Sequence, residues 1–224
     1  MMMNLFSVFD PSSSMLISLN WISSLLIIFF IPLTFWVVPS RYMFIFIILV
    51  NNLNMNFKEL LEKKMNMMNL IMFLSLLIML FLNNFLGLFP YIFTSSSHLV
   101  FSLSLSLIFW VSFMMNGWLN HTNHMFAHLV PQGTPSMLMS FMVLVESLSN
   151  LIRSGTLSVR LSANMIAGHL LMTLISSTGS SLSLGLLMFM LISQILLIIL
   201  ELSVSFIQAY VFSVLSILYS VEVN

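Results

Sequence analysis

The run RLSANMIAGHLLMTLI, which begins at Arg160, holds an arginine, an asparagine and a histidine in otherwise apolar surroundings. Each can do something its neighbours cannot. Arg160 carries a permanent charge, His169 can bind or release a proton near neutral pH, and Asn164 both donates and accepts hydrogen bonds. At 100° per residue, Glu146, Arg153 and Arg160 recur every seven positions and stack on one helix face, and Asn150 and Asn164 extend that stripe. His169 lies nine positions after Arg160 and points to nearly the opposite side. Downstream, Gln194, Glu201 and Gln208 repeat the spacing of seven, with Ser205 beside them.

A charge at mid-bilayer costs roughly 2.5–3.5 kcal/mol on insertion scales, so such residues usually mark ion paths or proton relays. A simpler use is a buried ion pair, Arg160 with Glu146 or Glu201, that locks two helices together. The chemistry separates the roles. Arginine keeps its proton, so it cannot hand one on. Glutamate and histidine can, when burial and neighbours tune them. The relay candidates are therefore Glu146, His169 and Glu201, with Arg160 a fixed positive barrier. Asn164 and Gln208 are candidates to line a path, and Arg153, Asn150, Gln194 and Ser205 are auxiliary candidates.

The elements that must position these residues are apolar throughout. Of 224 residues, 60% are hydrophobic and 5% are charged, against about 25% charged in a soluble domain. The expected class is an all-α integral membrane protein in one membrane domain. It has about five transmembrane helices, one interfacial amphipathic helix, and a long tilted helical hairpin at the end. The net charge is zero, which leaves no electrostatic case for nucleic acid. The absence of cysteine excludes disulfides and thiolate chemistry. The N-terminal MMMNLFSVFDPSSS has no basic residue, unlike a secretory signal or a transit peptide, so membrane insertion without a cleaved address is expected. Twenty-one methionines, with abundant Ser, Asn, Leu, Ile and Phe, point to an AT-biased genome and hence to mitochondrial encoding.

A first span is expected over 16–38, with Pro32 as a kink and Trp21 and Trp36 at the interfaces. Over 41–65, Phe57, Leu60, Leu61, Met65 and Met68 form an apolar stripe, while Lys58, Glu59, Glu62, Lys63 and Lys64 fall mostly off it; Glu59 stands four before Lys63. This predicts an interfacial helix. Further spans are expected over 69–89 and 99–118. In the latter, FSLSLSLIF alternates with period two, a strand pattern, but a lone strand cannot satisfy its backbone in lipid, so a helix is expected. Long tilted helices over 135–175 and 184–219 are joined by the turn SSTGSSLS. Arg41, Lys58, Lys63 and Lys64 lie between the first two spans, and the positive-inside rule puts that side inside. The N-terminus then starts outside, the loop holding His121, His124 and His128 is inside, SSTGSSLS is outside, and the C-terminus is inside.

The block RLSANMIAGHLL resembles the signature of the a subunit of the rotary ATP synthase membrane sector. LVPQGTPSMLMSFMVLVESLSNLIRSGTLSVRL and LELSVSFIQAYVFSVL resemble its flanking blocks, and the likeness covers essentially the whole chain. His169, five positions after Asn164, matches the mitochondrial form. The resemblance implies a subunit of the mitochondrial inner membrane that abuts a ring of c subunits, each with a mid-membrane carboxylate. It further implies contacts with other membrane and peripheral-stalk subunits. Arg160 would face the ring and block leakage between two offset half-channels. His169 and Glu201 would serve the outer one and Glu146 the inner one, with Asn164 and Gln208 close to the arginine. The termini would lie in the intermembrane space (N) and the matrix (C). No nucleotide-binding loop occurs, so phosphoryl chemistry is not expected of this chain, nor is a cofactor or resident metal. Family members often carry proline after the position of Arg153. Here Ser154 and Gly155 follow, so any local bend falls to the glycine.

Other clusters are weaker. His121, His124 and His128 have i, i+3, i+7 spacing but no nearby carboxylate or cysteine to complete a metal site; exposed loop histidines are expected. His98 sits in a polar turn and is expected to be solvated. Arg153 could approach a ring, a lipid phosphate or Glu146. Competing classes are a secondary transporter, against which no internal repeat is found, and a structural membrane subunit of a respiratory complex, against which the charged hairpin argues.

Overall fold

The computed structural model describes residues 5–13, 17–32, 37–61, 67–130, 133, 135–179 and 183–223. Helices are the only regular structure among them, as backbone in lipid requires. The α-helices are α1 (Ile27–Phe30), α2 (Arg41–Leu60), α3 (Met67–Gly87), α4 (Leu99–Asn120), α5 (Thr122–His128), α6 (Met139–Thr178) and α7 (Leu184–Val223). Single 3-10 segments occupy Leu5–Phe9, Leu19–Leu25, Ser95–Ser97 and Ser136–Leu138. Among the described residues, α3, α4, α6 and α7 are long and apolar enough to cross a bilayer. The chain is thus an all-α integral membrane protein.

Within the span expected over 16–38, the described residues form a 3-10 segment followed by one α turn, and Ile31 is extended, with φ −80° and ψ 117°. Pro32 explains the break, because its ring drives the preceding residue out of the helical region and it offers no N–H. Trp36 lies outside the described residues.

Helix α2 begins at a Ser40 cap, whose hydroxyl accepts the Met43 N–H at 3.4 Å. Its apolar stripe does not rest on lipid alone. Phe57 and Leu61 are buried in a cluster with Leu70, Phe73 and Leu77 of α3 and Ile217 of α7, and Leu60 packs against it. Lys58 and Glu59 face outward. Residues 62–66, including Lys63, Lys64 and Met65, and the side chain of Met68 lie outside the described set.

The period-two segment of α4 is helical. Ser102, Ser104 and Ser106 return their hydroxyls to the carbonyls of Leu99, Phe101 and Leu103 at 3.2, 2.9 and 3.1 Å, so no polar group is stranded. Ser102 and Ser106 are buried, whereas Ser104 is exposed, as a 3.6-residue period demands. Helix α6 answers with buried Ser154, Ser158 and Ser162. Small residues one turn apart let membrane helices approach closely, and α4 packs along α6 while α3 packs along α7. A second apolar cluster of Leu76, Leu80, Leu157, Leu161, Ala209 and Phe212 ties α3, α6 and α7 together.

Helices α6 and α7 have 40 residues each, about 60 Å of helix against roughly 30 Å of hydrocarbon. Both must therefore tilt or curve if their apolar lengths are to stay in the membrane. After α3, Tyr91 takes a left-handed backbone (φ 68°) next to Pro90 and turns the chain back.

Candidate functional site

Helix α6 has two unlike faces. Ser154, Leu157, Ser158, Leu161, Ser162 and Met165 are buried against the rest of the chain. Arg160 is not on that face. It is exposed, as is Asn164, and around it Thr156, Ala163 and Ala167 are also exposed. With such short neighbours, the guanidinium is the longest polar group on an otherwise smooth face. Among the described residues Arg160 makes no ion pair, so the locking pair with Glu146 or Glu201 is not formed.

Glu146 pairs instead with Arg153, one heptad on, at 3.6 Å, both side chains being 34% exposed. The Arg153 guanidinium also stands 5.6 Å above the Tyr219 ring. Of the three partners expected for Arg153, Glu146 is the one that meets it within this chain. The pair borders a cavity of about 70 Å³ with Trp110, Asn150, His128 and Tyr219, several times the roughly 10–15 Å³ that one water needs. The indole N–H of Trp110 donates to the Asn150 carbonyl at 2.9 Å and fixes α4 against α6 there.

A second and larger cavity, about 870 Å³, opens at the other half of α6. His169, Thr173, Ser176 and Gln194 line it, as do Asp10 and Asn20. The Phe9 ring meets His169 edge-on at 6.4 Å. Arg160 lies along α6 between the cavities, about 10 Å from Arg153 and about 14 Å from His169 by helical rise, and lines neither.

Glu201 reaches from α7 to the backbone of Gly168, where a Cβ would collide with its carboxylate. The glycine of the AGHL sequence thus makes room for an acid on the neighbouring helix. Both Glu201 oxygens and His169 Nε2 are buried without a hydrogen-bond partner. Buried polar atoms are rarely left so. His169 lines the large cavity, which is roomy enough for water.

Gln194 lines that cavity, and Asn150 lines the smaller one. Gln208 is half-buried and, with Asn164, borders neither. Ser205 is buried, and its hydroxyl is already engaged by the Leu202 carbonyl at 2.7 Å, a structural use. His124 and His128 bring ring nitrogens to 3.1 Å, but no third histidine or carboxylate joins them among the described residues. His98 is not solvated as expected. Its ring packs 5.2 Å from Trp21 and 5.1 Å from Phe93, and its Nε2 is buried and unpartnered.

Several polar residues had escaped the sequence reading. Asn83 and Asn84, inside the span α3, are buried beside Thr94–Ser97, and Asn83 accepts from Ser95 Oγ at 3.3 Å. Two adjacent asparagines within an apolar span were a readable signal. Asp10 was not readable, because only the folded chain carries it to the cavity. It is exposed, and the Ser12 main-chain N–H (3.1 Å) and then the Ser12 hydroxyl hold its carboxyl below the usual range.

The family model described as ATP synthase A chain matches residues 17–221. Over 224 residues, covering all of both chains, the sequence is 56% identical to the ATP synthase subunit a of Drosophila yakuba and, separately, 56% identical to that of Locusta migratoria. The corresponding protein of Anopheles gambiae is 55% identical over 226 aligned positions, again over the full length of both.

Proposed function

The chain belongs to the ATP synthase A chain family, the proton-translocating subunit of the membrane sector, and from that premise we propose how its residues carry protons. The His169 cavity is the outward half-channel and the Glu146 cavity the inward one, in a mitochondrial inner membrane with the N-terminus outside and the C-terminus inside. The four basic residues between the first two apolar segments support that orientation.

A proton enters the large cavity, passes His169, and reaches Glu201, whose unpartnered oxygens can accept it through water. From there it is given to a carboxylate on a ring of c subunits that slides along the smooth exposed face of α6. After rotation the carboxylate meets the inward path, where Glu146 takes the released proton toward the matrix. Asn164 and Gln208 flank the transfer point. Arg160 attracts the ionised carboxylate, with about 4 kcal/mol at 4 Å and an effective dielectric near 20, and so ejects its proton. It cannot relay a proton itself, which keeps the half-channels from joining. The membrane potential supplies about 2.3 kcal/mol per proton per 100 mV.

One observation carries this reading: two cavities large enough for water at opposite halves of α6, with an exposed arginine between them that lines neither and makes no ion pair among the described residues. The test is Arg160→Ala or Arg160→Gln in the assembled synthase. Proton-driven ATP synthesis is expected to disappear while the complex still assembles; retained synthesis overturns the assignment.

A further inference from the structure

We propose that Asp10 is the proton-collecting carboxylate at the mouth of the His169 cavity, drawing protons from bulk water or buffer and passing them to water inside. The inference rests on the reading of that cavity as the outward half-channel.

Position comes first. Asp10 and Asn20 line the cavity together with His169 and Thr173 of α6 and Gln194 of α7. Asp10 is exposed while His169 is half-buried with Phe9 against its ring. Bulk acid therefore meets the carboxylate before the imidazole.

The carboxylate is also held in place. The Asn20 amide donates to the Asp10 carbonyl at 3.2 Å, the Ser12 N–H to Asp10 Oδ1 at 3.1 Å, and the Ser13 hydroxyl to the Ile17 carbonyl at 2.8 Å. The preceding 3-10 segment, Leu5–Phe9, packs on α6. A residue near the end of the chain is thus fastened at the rim.

Charge completes the case. The stretches on the outward side are 1–15, 90–98 and 176–183, and Asp10 is the one Asp, Glu, Lys or Arg among them. No basic side chain in these stretches neutralises it, so its field raises the local proton concentration at the cavity and the capture rate with it. The other titratable groups lining the cavity are Tyr91 at the rim and His169 within. The step balances without any redox change. The carboxylate takes a proton from hydronium or a buffer acid, its new O–H bond breaks toward a cavity water, and carboxylate and hydronium result. The Ser12 hydrogen bonds keep the group ionised between transfers and quick to release.

Asp10→Asn isolates the charge, because the amide oxygen can still accept the Ser12 N–H. The assay is ATP synthesis by the intact complex in proteoliposomes, driven from the outward face, per assembled complex, in dilute and in concentrated small-molecule buffer. Asp10→Asn is expected to slow synthesis about threefold or more in dilute buffer. Concentrated buffer should restore it, and Asp10→Glu should stay near wild type. Equal rates for Asp10→Asn and wild type in dilute buffer overturn the proposal. So does a loss that buffer does not relieve, since that marks a purely structural role. If Asp10→Asn fails to assemble, Asp10→Ser takes its place in the same comparison. Glu201→Gln in the same vesicles separates the layers: wild-type rates there take down the half-channel reading and this inference together. A slow Glu201→Gln beside an unaffected Asp10→Asn removes this inference alone.

Discussion

Gly168 and Glu201 show at the scale of single residues what a helix face can and cannot do. Glu201 was readable as a proton-capable group from its carboxylate, and as part of a polar seam from its spacing to Gln194 and Gln208, yet its placement depends on a residue with no side chain. The carboxylate occupies the space that a Cβ at position 168 would need. Gly168→Ala should therefore displace Glu201 and slow synthesis much as Glu201→Gln does, with assembly intact in both. Proton-uptake rates measured side by side check this, and a Gly168→Ala enzyme as fast as wild type would show that the close approach is dispensable. Glu146 and Arg153 illustrate the opposite limit. Their spacing of seven put them on one face, and they do pair at 3.6 Å, but Arg160 stood on the same stripe and pairs with neither glutamate among the described residues. A helical wheel ranks the partners equally; only packing separates them. Breaking this half-exposed pair with Arg153→Gln should cost little stability, about 1 kcal/mol or less. Thermal denaturation of the complex measures it, and a collapse of assembly would assign the arginine a larger structural share.

At the scale of elements, the apolar spans could be read because lipid imposes one rule, that backbone groups pair within the segment. That rule overrode the strand-like alternation of FSLSLSLIF, and α4 is a helix from Leu99 to Asn120. Over 16–38 the described residues hold a 3-10 segment and one α turn that ends at Ile31, before Pro32. That the α2 stripe packs against α3 and α7 was not legible, since periodicity shows that a face is apolar without saying what covers it. The serine pattern of α4 gives a direct test. In a strand Ser102, Ser104 and Ser106 would share one face; in the helix Ser106 is 3% exposed, whereas Ser104 faces outward. Ser106→Leu should wedge α4 from α6 and lower stability by about 1–3 kcal/mol, while Ser104→Leu should be tolerated. Equal thermal shifts for the two variants would refute the packing seen here.

At the scale of the whole molecule, the proposed proton path uses two cavities at different halves of α6, and Arg160 lines neither. Neither cavity could be read from the sequence, because each is walled by segments far apart in the chain: residues near 10, 20, 90, 170 and 195 for one, and near 110, 128, 150 and 219 for the other. The absence of cysteine makes the arrangement directly measurable. Single substitutions Ser176→Cys and Thr173→Cys would report the larger cavity, and Asn150→Cys the smaller. A charged thiol reagent that cannot cross the membrane should label the first two from the outward side alone and the third from the inward side alone. In a chain carrying both Asn150→Cys and Ser176→Cys, labelling of 150 should survive reagent blocking at 176. Reaction falls off wherever water does not reach, because the thiolate is the reactive form and apolar burial disfavours it; a cysteine placed at Ala163, beside Arg160, should therefore react slowly from either side once a ring covers that face. Should 150 and 173 prove reachable from the same side, a continuous aqueous route past Arg160 would exist, and protons would cross without turning anything.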